Sequence, residues 1–453
     1  MKYQGIYDRS PIFFQNVMAT LYGYRAKRRR YGKAYWDHLK YLEEVHKYSR
    51  EQLEELQFQE LMKLLRHTVA NSKFYRKLYD AIDIESFTSV DDLKRLPIVT
   101  KEMIRRNIDD VITIPKKGAV VGNTGGTTGK SLTVYNRPED AQKRMAVLDF
   151  FKMKHGFRNL AMKKATFMGK HIVPPNQKKK VFWRYNAAIK QMVYSSFHLT
   201  EENIPYYIES LNRFQPQAID GFPSSMYDIA TYMIRHNAKL DFTPIAIFPT
   251  AETLTPEHRD AITKAFRAPV RDQYASSEGA PFVWECEYGN YHYDVTTGVI
   301  EQLEGSNEVL VTSFTTYGTP LIRYRIGDSM IFADPNATCR CGFNTPLVES
   351  IEGRAIDFLY STQGAKINLG NVANVLKYMP NSIIKSQFVQ NRFDHIEVRL
   401  VCDGTLTDEH KRILRDEMRH KFGGDLQVDF RVVEDIPRAA SGKHRLIVNN
   451  VQV

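Results

Sequence analysis

The sequence predicts an α/β protein, with a large N-terminal domain of parallel-rich sheets flanked by helices and a small α+β domain at the C-terminal end. Three observations carry this expectation. The length of 453 residues exceeds what one typical core holds, so two or three domains are expected. Between residues 218 and 274, extended apolar runs alternate with helical patterns at the spacing of consecutive βαβ units, which build a parallel sheet. Beyond residue 385 the pattern becomes strand, strand, helix, strand.

Taken in order, Phe13, Val17, Leu21 and Tyr24 recur at helical spacing and run into Lys27-Arg28-Arg29-Arg30. A helix packed by its apolar stripe onto its own domain is the expected arrangement. The alternative is an amphipathic helix lying on an anionic membrane face. Apolar Ala119-Val120-Val121 leads into Asn123-Thr124-Gly125-Gly126-Thr127-Thr128-Gly129-Lys130, and Leu132-Thr133-Val134-Tyr135 then alternates like a strand. Glycines let such a loop curl its N–H groups inward, while threonine hydroxyls and an ammonium add donors, so the natural guest is a phosphate chain. A Walker loop would need glycine at Thr124 and a helix after Lys130; both are missing, which argues against a P-loop nucleotide hydrolase.

Further on, Ala218-Ile219-Asp220 is extended and Gly221-Phe222-Pro223-Ser224 opens a helix with Met226, Ile229, Ala230 and Met233 on one face. The next strand, Ile245 to Phe248, ends in the turn Thr250-Ala251-Glu252. A helix begins at Thr255-Pro256-Glu257 with a capping threonine, a first-turn proline and a dipole-matched acid. A third parallel strand is expected over Val270 to Tyr274, breaking into Ala275-Ser276-Ser277-Glu278. Polar clusters at strand carboxyl ends are where open α/β sheets bind ligands. In the tail, strands around Ser386–Gln390 and His395–Cys402 precede a helix capped at Thr407, with the stripe Leu414, Met418, Phe422 and the stop Gly423-Gly424.

These segments resemble the adenylate-forming (acyl- and aryl-CoA ligase) superfamily, in its phenylacetate–CoA ligase-like branch and the subgroup of capsular polysaccharide biosynthesis. The resemblance runs from about Leu53 to the end. It rests on Leu96-Pro97-Ile98-Val99-Thr100-Lys101, the Gly/Thr loop, Ala251-Glu252, Tyr274 to Glu278, Arg323-Tyr324-Arg325-Ile326-Gly327-Asp328, Gly353-Arg354 and Ser441-Gly442-Lys443, in the family's order. It implies an adenylation domain over 51–352 and a mobile domain over 353–453, while residues 1–50 lie outside the matched region and are read as a helical extension. It further implies that Thr124, Gly125, Gly126, Thr127, Thr128 and Lys130 hold the ATP phosphates, Glu278 binds Mg²⁺, and Ser277, Tyr274 and Ala251-Glu252 lie along the nucleotide. Asp328 would accept from the ribose, Arg354 would reach ribose and phosphate, and Lys443 would be the catalytic cation. Two positions depart from the family: Ala275 replaces the usual glycine after the tyrosine, and Ile356 stands at the usual hinge acid.

The activity so implied is activation of a small carboxylic acid by ATP, then transfer to CoA. The alternative acceptor is an amine or hydroxyl of a sugar precursor, or a carrier protein. Cys286, His292, Cys339 and Cys341 are candidate ligands for a closed Cys₃His zinc site, against the alternative of free buried thiols. The net charge of +11 is scattered and sits in no recognisable nucleic-acid module, so no nucleic-acid partner is expected. Four cysteines fit a reducing compartment, and a cytoplasmic location with peripheral membrane contact as an option is the expectation.

Overall fold

The computed structural model describes residues 4–123, 132–175, 177–352, 358–379, 383–402, 404–437 and 445–451. The expected phosphate-loop residues Thr124 to Lys130, together with Arg354 and Lys443, therefore lie outside the described residues.

The architecture is mixed α/β, as the alternation of patterns predicts. A five-stranded sheet holds, in spatial order, Trp183–Asn186, Gln191–Ser195, Lys164–Met168, Ala218–Gly221 and Ala246–Pro249. The last four are parallel neighbours, and only the edge strand Trp183–Asn186 runs antiparallel. Helix Pro223–Arg235 covers this sheet with Met226, Ile229, Ala230 and Met233, all fully or almost fully buried, as their spacing predicts. Burial of each large side chain contributes about 1.5–3 kcal/mol. Helix Pro256–Phe266 starts as expected, with Thr255 accepting from the His258 N–H.

The expected third parallel strand is corrected. Val270 makes only an isolated parallel bridge to Ile247, after which Gln273–Tyr274 pairs antiparallel with Val283–Glu285 in a different sheet. Arg271 N–H still donates to Ile247 O, and Asp272 O already accepts from Glu285 N–H, so the chain changes sheets within one residue. That second sheet is antiparallel throughout, seven strands ordered Gly298–Gln302, Glu308–Ser313, Tyr324–Phe332, Leu347–Glu352, Tyr291–Tyr293, Val283–Glu285, Gln273–Tyr274. Helix Arg50–Asn71, held at its start by a Ser49/Gln52 capping box, packs Leu61, Leu64 and Leu65 into the core over this sheet.

The expected Gly/Thr hairpin has its two strands: Val120–Asn123 pairs antiparallel with Thr133–Asn136, with residues 124–132 between them in the chain. At the C-terminal end, Ile383–Arg392 and His395–Cys402 form an antiparallel pair flanked in parallel by Asn449's strand Ile447–Asn449 and by Gln427–Val432. Helix Asp408–Phe422 packs Leu414, Met418 and Phe422 against them, and Thr407 caps it. The stripe Phe13, Val17, Leu21, Tyr24 is corrected in direction. Helix Ile12–Arg30 does pack on the domain, but through its opposite face, and these four residues are exposed.

Candidate active site and metal cluster

Three segments far apart in sequence meet where the two sheets adjoin. Val99 bridges in parallel to Tyr324, with its N–H donating to Arg323 O (3.0 Å) and Arg325 N–H donating to Val99 O (2.9 Å). This pins Thr100-Lys101 beside strand Tyr324–Phe332, which carries Asp328. Asp328 lies in that strand where its pairing with strand Glu308–Ser313 shifts register. The Tyr274 hydroxyl donates to Asp328 Oδ2 at 2.9 Å, and both side chains are half-buried. Lys101 Nζ lies 3.9 Å from Glu278 Oε1, with only 19% and 16% of the two side chains exposed.

The turn bearing Glu278 is fixed from behind. Arg144, on helix Pro138–Lys154, donates through Nη2 to Ser276 O at 2.7 Å. Ser276 Oγ accepts from the N–H groups of Gly279 and Ala280. Gly279 has φ 102°, and a Cβ there would come within 2.6 Å of Thr316 Cγ2, so the turn requires glycine. Burial pulls Arg144 below the usual guanidinium range, opposed by the Glu278 and Asp140 carboxylates. Arg144 was not singled out in the sequence. Its partner is 132 residues away, and an arginine in an ordinary helix gives no local signal.

Beside this turn lies Pro249 to Glu252. Gln273 Nε2 donates to Pro249 O (3.2 Å), and Thr250 N–H donates to Gly221 O (2.9 Å). Glu252 accepts from Ser224 N–H and Oγ at 2.9 and 3.0 Å, at the start of helix Pro223–Arg235. Ala251 stands at φ 68°, a left-handed conformation rare for alanine. The structure therefore brings together Ala251, Glu252, Tyr274, Glu278 and Asp328; Ser277 is exposed on the same turn. Gly169 and His171, just beyond strand Lys164–Met168, contact the C-terminal part. A Cβ at Gly169 would strike Asn371, and the His171 ring lies 5.0 Å from that of His420.

A second constellation sits at the other end of the antiparallel sheet. Cys286 follows strand Val283–Glu285, His292 is on Tyr291–Tyr293, and Cys339 and Cys341 come from the loop before Leu347–Glu352. Their ligand atoms lie within 4.8 Å of one another. Cys286 Sγ and Cys339 Sγ are 3.6 Å apart, and Cys341 Sγ is 3.1 Å from His292 Nε2. Thiolates bound to zinc at about 2.3 Å in a tetrahedron stand about 3.8 Å apart, so the four groups are close to that spacing. All the cysteines are free thiols. His292 Nδ1 faces Thr345 Oγ1 at 2.9 Å, and an N–H donated there leaves the Nε2 lone pair toward the cluster. Burial lowers His292 to about 4, keeping it neutral as a ligand must be. Burial pushes the Cys286 and Cys341 thiols up, a direction that a bound cation would invert. The donor set fits zinc.

Over 99% of its length, the chain is 40% identical to 99% of Protein CapK of Staphylococcus aureus. It belongs to the CapK family. Residues 359–450 match the model of the CapK C-terminal domain. The family is part of the phenylacetate–CoA ligase-like branch of the adenylate-forming enzymes. Phenylacetate-coenzyme A ligase of Thermus thermophilus is 23% identical over 90% of this chain and 99% of that protein. Among solved structures, an open conformation of 2-hydroxyisobutyryl-CoA ligase in complex with 2-HIB-AMP and CoA superposes with a TM-score of 0.56 at 16% identity. It covers 89% of this chain and 93% of that one. This last similarity is one of fold.

Proposed function

We propose that the protein joins a carboxylic acid to the α-phosphate of ATP, releasing pyrophosphate, and then passes the acyl group to the thiol of CoA, releasing AMP. The observation that carries this reading is the convergence of Lys101, Tyr274, Glu278 and Asp328, from three distant segments, in the order the adenylate-forming enzymes use. A carboxylate is a weak nucleophile and ATP is strongly anionic, so the site must align the two and offset the charge that builds up. Asp328, an acceptor without a donor of its own when ionised, suits the ribose hydroxyls, and Tyr274 orients it. Ala251 and Glu252 form a turn against which adenine would lie. The Gly/Thr loop from Thr124 to Lys130 would hold the β- and γ-phosphates.

Glu278 is a hard oxygen donor facing Lys101 and suits Mg²⁺, which when bound would draw charge from the phosphate oxygens. Arg354 would reach the ribose and phosphate, and Lys443 would meet the charge developing during attack. Cys286, His292, Cys339 and Cys341 would hold a structural Zn²⁺. The unpaired cysteines suit a cytoplasmic enzyme.

A second reading keeps the adenylate but delivers the acyl group to an amine or hydroxyl of a sugar precursor, or to a carrier protein, in surface polysaccharide biosynthesis. What favours it is the contrast between 40% identity to Protein CapK and 23% to a phenylacetate-CoA ligase. A panel of carboxylic acids tested for acid-dependent ATP–pyrophosphate exchange checks the shared step. Single turnovers with and without CoA then separate the two acceptors. ATP turnover to ADP and phosphate, with no acid stimulating exchange, would overturn both.

A further inference from the structure

Helix Ile12–Arg30 is turned the opposite way from an ordinary surface helix. Gln15 and Gly23 are its buried residues. Arg184 Nε donates to Gln15 Oε1 at 2.6 Å, Tyr185 N–H donates to Asn16 Oδ1 at 2.9 Å, and Ala187 N–H donates to Thr20 Oγ1 at 3.1 Å. These polar side chains cover the edge strand Trp183–Asn186, whose backbone groups would otherwise be unpaired. The fit is close, since a Cβ on Gly23 would lie 2.1 Å from Asn186 Oδ1.

The apolar residues are left on the outside. At about 100° per residue, Phe13, Phe14, Val17, Leu21, Tyr22 and Tyr24 occupy a single half of the circumference, and they are 39–71% exposed. Arg25, Arg28 and Arg29 lie on the same half toward the C-terminal end, and all three are exposed. The helix carries five cations, counting Lys27 and Arg30, and no carboxylate.

We propose that this face docks on an anionic lipid bilayer, with the helix lying in the plane of the headgroups. The apolar and aromatic side chains match the boundary between headgroups and acyl chains, where amphipathic rings partition. The arginines match anionic headgroups. No described helix is long and apolar enough to cross a membrane, so the contact runs along the surface. A second copy apposed through the same helix offers no complementary charge, because Asp8 is the sole acid between residues 4 and 33.

The test uses the full chain and vesicles of phosphatidylcholine alone or of equimolar phosphatidylcholine and phosphatidylglycerol, read by co-flotation. The protein is expected to float with the anionic vesicles, and added salt should weaken the binding. Each cation near an anionic surface contributes roughly fivefold to partitioning, so R25Q/R28Q/R29Q should lower it on the order of a hundredfold. F13S/L21S should abolish it. The altered side chains are exposed, so both variants should melt with the wild type. No flotation with anionic vesicles, or flotation unchanged in both variants, would overturn the proposal. So would light scattering that shows a dimer which F13S/L21S converts to monomer, since a second copy would then cover the face.

Discussion

Replacing Cys339 and Cys341 by serine removes half of the proposed zinc ligands, and the size of the effect follows from where those ligands sit. Cys286 and Cys339 are 53 residues apart in the chain and 3.6 Å apart in space. A crosslink closing a loop of that length restrains the unfolded chain by roughly 4 kcal/mol. At about 2 °C per kcal/mol for a large domain, the double variant should melt about 8 °C below the wild type. Protein purified without chelator should hold one zinc per chain, and C339S/C341S none. Trp284 provides an optical reading, because its ring lies over His292 with centroids 5.2 Å apart. Its emission should shift when a chelator strips the wild type, and should not respond in the variant. Wild-type protein without stoichiometric zinc, or a variant that melts with the wild type, would refute the assignment and leave a cluster of free thiols.

Other outcomes concern the nucleotide site and acid stability. Asp328→Asn should weaken AMP binding about ten- to a hundredfold, the worth of charge-assisted hydrogen bonds. Tyr274→Phe should cost less, and calorimetry showing neither effect would remove the ribose assignment. Lys443→Ala should lose about 3–4 kcal/mol of transition-state stabilisation in ATP–pyrophosphate exchange, yet still process a synthetic acyl-adenylate; exchange at the wild-type rate would refute its catalytic role. Burial lowers both His38 and His198 to about 4, with the Lys143 cation adding to the effect on His38. The unfolded chain takes up those protons near pH 6.5, so the stability they contribute is full above that value and drains as pH falls toward 4. Each would cost up to roughly 3 kcal/mol by pH 4. Urea midpoints that do not fall between pH 7 and pH 4.5 would contradict this.

Much of the fold was legible because short-range patterns carried it. Met226, Ile229, Ala230 and Met233 announce one buried helix face, and Thr255, Thr407 and Gly423 mark helix ends by capping chemistry. The four zinc-type ligands were legible as residue types, though only the fold shows that Thr345 supports His292. Three things were not. Val270 to Tyr274 looks like one strand because leaving one sheet for another changes partners and not local conformation. The stripe Phe13 to Tyr24 reveals an apolar face but not which way it points; that depends on an edge strand some 169 residues away. Arg144 and Ser276 likewise meet only in three dimensions.

The same long separation sets an order of events during synthesis. Helix Ile12–Arg30 is made first, but the strand that Asn16 and Thr20 complete is not made until 169 and 167 residues later. At about 5–20 residues per second, the helix waits roughly ten to thirty seconds for its seat. Its polar face lacks its protein partner in that interval, while its aromatic and cationic face is already complete. Whatever that outer face adheres to can therefore be engaged before the rest of the large N-terminal domain exists, and the ribosome would then finish the enzyme already in place.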